Sequence, residues 1–256
     1  MERLFKTHQI RRQDCLDGVW DFTTLSGNKS PAGRLPDAYE YRMAVPACWE
    51  MSLPYAAYRG LAAYRKTFQT KQEENLRFLF KGVSHTAEVF LDGEKLGRHY
   101  NAYTGFDFIK PKVPAGEHVL EVLVDNRFSG ASKLHVPNDY YSYGGITRSV
   151  FLENVPDVFI RRAELEPFFE NNVPKARIRL FLQNLSDAAK SVRLRIKGAG
   201  REETLEGEAA AGGESVLRTT LDFGARKRRI FTFSPSPWPM TAPSGMTGSN
   251  ASAFGK

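Results

Sequence analysis

Short runs of alternating apolar and polar residues, separated by turn residues, dominate the first 155 residues of the chain. Runs of this kind, rich in β-branched and aromatic side chains, predict strands at 63–68, 76–80, 87–91, 117–124 and 147–152. After the third of these, Asp92-Gly93 offers the two positive-φ positions of a type I′ turn and predicts a tight hairpin. No run of ten or more residues has the 3.6-residue period of a helix. This part of the chain is therefore predicted to be an all-β sandwich of the jelly-roll type.

A second group of strands begins near Pro156. Alternation predicts strands at 158–162, 176–182, 191–196 and 214–221. They amount to four or five strands of an immunoglobulin-like sandwich, which ordinarily has about seven. From Gly224 onward, prolines fall among serines and glycines and the alternation ends. The predicted organisation is a jelly-roll domain at 1–155, an incomplete immunoglobulin-like sandwich at 156–222, and a disordered tail at 223–256.

Composition narrows the class of protein. The chain has 256 residues, 41% hydrophobic and 25% charged, which is typical of globular proteins. Its longest apolar runs have the length of strands, and its first residues are charged, so we expect no membrane span and no secretory signal. Two cysteines, Cys15 and Cys48, are too few for a disulfide framework or a four-ligand zinc site. We therefore expect a cytoplasmic protein with reduced thiols, in which Cys48 is a small buried hydrophobe.

The net charge of +7 belongs mostly to the tail. Residues 223–256 hold five of the 36 basic residues and none of the 29 acidic ones, so the rest of the chain is nearly neutral. The basic run at 226–229 is a candidate phosphate-binding patch, but no interleaved aromatic residues or recognition helix accompany it. We therefore predict no nucleic-acid partner.

No catalytic apparatus is recognisable. The sequence has no Gly-x-Ser-x-Gly, and its five histidines lack the His-Glu-x-x-His spacing of zinc hydrolases. The acidic pairs Glu73-Glu74 and Glu202-Glu203 lie in polar stretches and are expected to be solvated. We assign no catalytic, metal-binding or cofactor-binding residue.

One stretch, residues 138–145, has the chemistry of a ligand contact. The carboxylate of Asp139 can accept hydrogen bonds from neighbouring sugar hydroxyls, and tyrosine faces can stack on the apolar side of a pyranose. The adjacent glycines permit close approach to a ligand or another domain. The alternative is a tyrosine-rich turn against the sandwich edge, with Asp139 capping the turn. For Tyr140, Tyr141 and Tyr143 we prefer this packing interpretation.

Four segments together resemble one family. They follow one another with the expected spacing over about residues 15–222. The last of them carries an Asp-aromatic-aromatic-x-x-x-Gly-Ile-x-Arg signature. The four segments are Val45–Glu50, Tyr58–Phe68, Phe80–Gly93 and Asn138–Arg148. The chain thereby resembles the N-terminal sugar-binding part of glycoside hydrolase family 2, which includes β-galactosidases, β-glucuronidases and β-mannosidases.

The resemblance implies a galactose-binding-like jelly roll, an immunoglobulin-like second domain and a catalytic (β/α)₈ barrel after both. Retaining glycosidases need two carboxyl groups about 5–5.5 Å apart, and in this family both are glutamates on the barrel, which this sequence does not contain. The resemblance implies that Asp139 binds sugar. We expect Trp49 to be a buried anchor and Arg148 a structural ion-pair partner.

The expected function is the non-catalytic, sugar-binding portion of a family 2 glycoside hydrolase, which binds β-glycosides weakly and is inactive alone. Two alternatives stay open: a stand-alone carbohydrate-binding module, and an accessory subunit that completes a separately encoded barrel. The sequence does not identify the sugar.

The tail has the features of a shifted reading frame. Residues 248–256 are compatible with codons GGA-TCG-AAC-GCT-TCG-GCT-TTC-GGG-AAA. Read one nucleotide earlier, with C before the first G, these bases encode Arg-Ile-Glu-Arg-Phe-Gly-Phe-Arg-Glu, which resembles the segment that closes the second domain in family 2. We expect residues after about Phe223 to be translated out of frame, which leaves the second sandwich without its closing strands.

Overall fold

The computed structural model describes residues 11–25, 34–130, 141–198 and 201–222. These residues form fifteen β-strands and two single-turn 3₁₀ helices, Trp49–Met51 and Leu53–Tyr55, with no α-helix among them. The prediction of an all-β fold is confirmed. No helix in the described part of the chain is long or apolar enough to cross a membrane.

Ten strands make up the first sandwich. They are β1 (Gln13–Cys15), β2 (Gly18–Leu25), β3 (Tyr41–Val45), β4 (Leu61–Thr70), β5 (Glu74–Phe80), β6 (Thr86–Leu91), β7 (Glu94–Tyr100), β8 (Phe106–Val113), β9 (Gly116–Asp125) and β10 (Val150–Val155). A six-stranded sheet has the order β3-β2-β4-β9-β6-β7, and a four-stranded sheet has the order β1-β10-β5-β8. Every neighbouring pair is antiparallel. This is the predicted jelly-roll-type sandwich, although the last strand starts at Val150, later than expected.

The main core fills the space between these two sheets. Alternation along β5 turns Leu76, Phe78 and Phe80 inward, where each is at most 1% exposed. They join residues such as Phe22 and Tyr64 of the facing sheet in one cluster, in which these two rings lie 4.9 Å apart, edge to face. Burying each large apolar side chain stabilises the fold by about 1.5–3 kcal/mol.

The predicted hairpin is present and has a side-chain clamp that the turn signal did not predict. Asp92 and Gly93 both have positive φ, 51° and 81°. The Asp92 carboxylate accepts the Val119 N–H at 2.8 Å and lies 2.8 Å from Nδ1 of buried His118, whose Nε2 lies 2.9 Å from the Pro114 carbonyl oxygen. Both partners of the ring are acceptors, which favours imidazolium. Burial lowers the pKa of His118, but the bonds to Asp92 and Pro114 outweigh it and leave the pKa raised.

The second group of strands forms two smaller sheets. Strands β11 (Val158–Glu170), β12 (Val173–Asn184) and β15 (Glu214–Asp222) form an antiparallel sheet in the order β11-β12-β15, and β13 (Lys190–Gly198) pairs with β14 (Arg201–Ala209). The four located strands are confirmed. The fifth, β14, was not located because charged residues occupy most of its positions.

The second sandwich has a small core. Ile178, Leu180 and Leu221 are buried, and three partly buried leucine and isoleucine side chains of β13 and β14 pack on them. On β11, Leu165 and Phe169 remain 63% and 77% exposed. Within the described ranges two strands face three, and the incompleteness of this sandwich stays a prediction. The domain boundary at 155/156 stays a prediction, and the tail at 223–256 lies outside the described residues.

Two predictions about single residues are wrong. Glu74 is only 7% exposed, because it starts β5 on the inward-facing register and its carboxylate accepts from Arg12 at 3.1 Å. It is therefore a buried ion-pair partner, whereas Glu202 is exposed as expected and pairs with Arg195. Cys48 is half-buried and not fully enclosed, and burial raises the pKa of its thiol.

Candidate functional site

The segment that leads into β10 is the candidate site. Its first part, which includes Asp139 and Tyr140, lies outside the described residues, so the structure does not test Asp139. From residue 141 onward the chain is bonded on two sides by backbone hydrogen bonds. On one side the Trp49 N–H donates to the Gly144 carbonyl at 3.0 Å, and on the other Ser84 and Gly145 exchange two bonds of 2.8 and 2.9 Å. The Ser84 hydroxyl also donates to the Tyr143 carbonyl.

The two glycines of this segment are required by close contact with the protein. A Cβ on Gly144 would lie 2.0 Å from Cζ2 of Trp49. Gly145 has φ +126°, and a Cβ there would lie 2.8 Å from the Ala47 carbonyl oxygen. The close approach expected of these glycines is therefore present, but it is made to the sandwich itself.

The Glu50 side chain binds the backbone of the candidate segment. Its carboxylate accepts the Gly144 N–H at 2.9 and 3.1 Å, and the Asn126 side-chain amide lies 3.4 Å away. Burial raises the pKa of Glu50 even though the Gly144 amide favours the charged form. Asn126, fully buried, accepts the Gly60 N–H through Oδ1 at 2.9 Å. The sequence contains no signal for Asn126, and it places Glu50, together with Trp49, only near the domain interface.

Arg59 joins this network from the opposite side. Its guanidinium donates to the Asn126 carbonyl at 2.7 Å and to the Ser142 carbonyl at 3.4 Å. The guanidinium carbon lies 4.2 Å from the centroid of the Phe128 ring and 5.4 Å from that of Tyr141. Arg59 therefore ties the backbone of the candidate segment to the end of β9.

The tyrosines of the segment do not bury their rings. Tyr141 and Tyr143 are 46% and 52% exposed, and their centroids lie 4.8 Å apart. The preferred interpretation, packing against the sandwich edge, is wrong for a large part of each ring: the two rings pack on each other and leave aromatic surface facing solvent.

Trp49 and Arg148, the other two residues singled out from the sequence, both donate hydrogen bonds to backbone carbonyls. Trp49 is fully buried and its indole N–H donates to the Tyr58 carbonyl at 3.0 Å, which confirms the anchor role. Arg148 lies in a bend before β10 and donates to the Tyr103 carbonyl at 3.5 Å. The expected ion pair of Arg148 is not found with any described carboxylate. Across the described residues, no group of three or more His, Cys, Asp or Glu could hold a metal ion.

The described residues form a jelly-roll sandwich with an exposed aromatic segment, followed by immunoglobulin-like strands, and jelly rolls are among the folds of lectin domains. Residues 54–156 match the family model "Glycosyl hydrolases family 2, sugar binding domain". The crystal structure of a family 2 β-galacturonidase from Eisenbergiella tayi, bound to galacturonate, is similar to 87% of this chain with a TM-score of 0.76 and 35% identity.

Curated glycosidases also match parts of the chain. A putative β-glucuronidase from Formosa agariphila is 32% identical over 97 residues, which are 36% of this chain and 12% of that protein. A β-galactosidase from Thermoanaerobacter pseudethanolicus is 30% identical over 150 residues, 50% of this chain and 20% of that protein. Over residues 54–156 the chain is thus similar to the sugar-binding domain of glycoside hydrolase family 2, and over most of its length it is similar to part of a family 2 β-galacturonidase.

The chain spans only part of these relatives. It covers 39% of the β-galacturonidase and 12–20% of the curated relatives it matches. It corresponds to their sugar-binding N-terminal portion, and the described residues contain no α/β barrel.

Proposed function

We propose that this chain recognises the sugar of a β-glycoside through the segment that carries Asp139, for a hydrolase whose catalytic barrel is supplied elsewhere, in cis or in trans. The observation that carries the proposal is the fixed geometry of residues 141–145. Trp49, Glu50, Arg59 and Ser84 hold their backbone from several sides. A segment that is already ordered loses little conformational entropy when it binds a ligand.

Asp139 is our candidate for the direct contact. It lies two residues before Tyr141, at the start of the segment. A carboxylate accepts two hydroxyl hydrogen bonds, and such charge-assisted bonds are roughly twice as strong as neutral ones. The names of the relatives support β-galactosides and β-uronides as the class of sugar. We place the protein in the cytoplasm.

Binding by the chain alone is expected to be weak. Pockets that bind sugars tightly enclose most of the ligand, and an open segment does not. Hydrolysis is not expected either, because retaining chemistry needs a positioned pair of carboxyl groups, which the family places on the barrel. Nitrophenyl glycosides test this: turnover above background that a point mutation in this chain abolishes would contradict the proposal.

The direct test of Asp139 is a sugar titration followed by NMR. Asp139→Asn keeps the size of the side chain and removes its charge, and we expect affinity for methyl β-galactoside and methyl β-galacturonide to fall by about threefold to tenfold. Asp187→Asn, an exposed aspartate in the second sandwich, is the matched control and should change nothing. Unchanged affinity in Asp139→Asn would refute the assignment. Micromolar binding by the wild-type chain would instead identify a self-sufficient carbohydrate-binding module.

A further inference from the structure

We propose that Arg59, Phe128, Tyr141 and Tyr143, here called the Arg59 platform, form a subsite for an acidic sugar, with the pyranose on the aromatic rings and its carboxylate on the guanidinium. This inference rests on the proposed function and narrows the β-glycoside to a uronide.

The first argument is the charge of Arg59. Its two described hydrogen bonds go to backbone carbonyls, which are neutral. No carboxylate in the described part of the chain lies within 4.0 Å of the guanidinium. The positive charge of Arg59 favours the ionised form of Glu50, but the hydrogen bonds of the Glu50 oxygens go to the Gly144 amide and the Asn126 side chain. A guanidinium has five N–H donors, so Arg59 retains donors and a positive charge for an anionic partner.

The second argument is the aromatic surface beside this charge. Phe128, Tyr141 and Tyr143 are 39%, 46% and 52% exposed, although large aromatic rings usually bury most of their surface. The Arg59 guanidinium lies over the Phe128 and Tyr141 rings, which orders it before any ligand arrives. The platform therefore combines fixed apolar faces with one fixed cation.

The third argument is the kind of ligand that uses both parts. The C–H face of a pyranose stacks on aromatic rings, and a planar carboxylate matches the fork of a guanidinium. A neutral hexose would leave the cation without a partner, and an inorganic anion would leave the rings uncovered. A hexuronide satisfies both with one ring.

The test compares two ligands that share the same sugar ring and differ only at the carboxyl group, which is charged in one and esterified in the other. Methyl β-galacturonide and its neutral methyl ester are titrated into the full chain, and binding is followed by NMR shifts of the Tyr141 and Tyr143 amides. We expect the acid to bind at least about threefold more tightly at low salt, and 0.5 M NaCl to reduce this preference, because a partly exposed ion pair is screened. Arg59→Gln should abolish the preference, and Arg59→Lys should retain part of it.

Tyr141→Ala should weaken the acid and the ester alike, because it removes the stacking face. Tyr41→Ala is the matched control: Tyr41 is 49% exposed on β3 and should affect neither ligand. Equal binding of acid and ester by the wild-type chain, or a preference retained in Arg59→Gln, overturns the uronide subsite while sugar recognition stands. Binding of neither ligand overturns both proposals. If Arg59→Gln fails to fold, the wild-type comparison at two salt concentrations decides alone.

Discussion

At Gly144 and Gly145 the backbone runs against Trp49 and Ala47 with no space for a side chain. Two hydrogen bonds reinforce the contact. The Trp49 N–H donates to the Gly144 carbonyl, and the Glu50 carboxylate accepts from the Gly144 N–H. One methyl group at Gly144 would have to displace a fully enclosed ring of the core, since Trp49 is 0% exposed. The position of the candidate sugar-binding segment therefore depends on the absence of even one side-chain carbon at these two residues.

Gly144→Ala should therefore be strongly destabilising. Overpacking against a rigid, buried ring costs about 1–3 kcal/mol, and loss of the bonds to the segment adds to it. Gly212→Ala is the control: it also changes a glycine, at φ +62°, but a Cβ there meets no atom within 4 Å. We expect about 1 kcal/mol for the control, from the left-handed backbone alone. Urea unfolding measures both, and equal costs would contradict the packing argument.

The Asp92–His118 clamp predicts a dependence of stability on pH. Because the folded-state pKa of His118 is raised, protonation favours the folded state. This contribution is fully present below the ordinary pKa of histidine, about 6.5, and is lost as pH rises through the folded-state pKa.

Asp92→Asn removes the charge and suits a type I′ turn. The difference in free energy of unfolding between wild type and Asp92→Asn should be largest near pH 6 and shrink toward pH 9. A difference that is independent of pH would rule the clamp out.

At the scale of strands, Arg77 of β5 links three neighbours. Its guanidinium binds Asp107 of β8 at 3.0 Å and Glu153 of β10 at 3.2 Å, and it donates to the Arg161 carbonyl of β11 at 3.2 Å. Arg161 itself binds Asp107 at 3.1 Å. This buried network connects the first sandwich to the first strand of the second.

Arg77→Met should cost about 1–3 kcal/mol, because it removes the cation that Asp107 and Glu153 share, while Asp107 keeps Arg161 at 3.1 Å and Glu153 keeps Arg11 at 3.7 Å. Arg193→Met removes an exposed arginine that pairs with Glu206 at 2.8 Å, and should cost no more than about 1 kcal/mol. Thermal unfolding of the two variants separates the cases. A loss as small as that of the control in Arg77→Met would show that the network contributes little.

At the scale of the whole molecule, the sequence predicted those features that neighbouring residues along the chain determine. The strands and the Asp92-Gly93 hairpin follow from alternation and turn chemistry, which act within a few residues. The inward position of Glu74 and the bond from Gly144 to Glu50 depend on partners 62 and 94 residues away. A pattern of a few neighbouring residues does not indicate which distant residue will be the partner. The exposed faces of Tyr141 and Tyr143 were missed for the same reason.

The proposed change of reading frame after about Phe223 belongs to this scale. Its support is the exposed apolar surface at Leu165 and Phe169, in a sandwich where two described strands face three. We expect the gene to encode the closing motif of the family one nucleotide upstream of the frame read at residues 248–256. Sequencing the gene decides this: codons that do not yield Arg-Phe-Gly-Phe-Arg-Glu in that frame would refute it.

The unequal cores of the two sandwiches imply that the molecule opens in separate cooperative units. Among the described residues, the main cluster of the first sandwich joins more than twenty buried side chains, whereas that of the second joins three. Amide protons of β13 and β14 should therefore exchange with solvent through local opening, at a free energy well below that of global unfolding. Amides of β4 and β9, at the centre of the six-stranded sheet, should exchange only when the whole first sandwich unfolds. Native-state hydrogen exchange should accordingly find two tiers of protection in one chain.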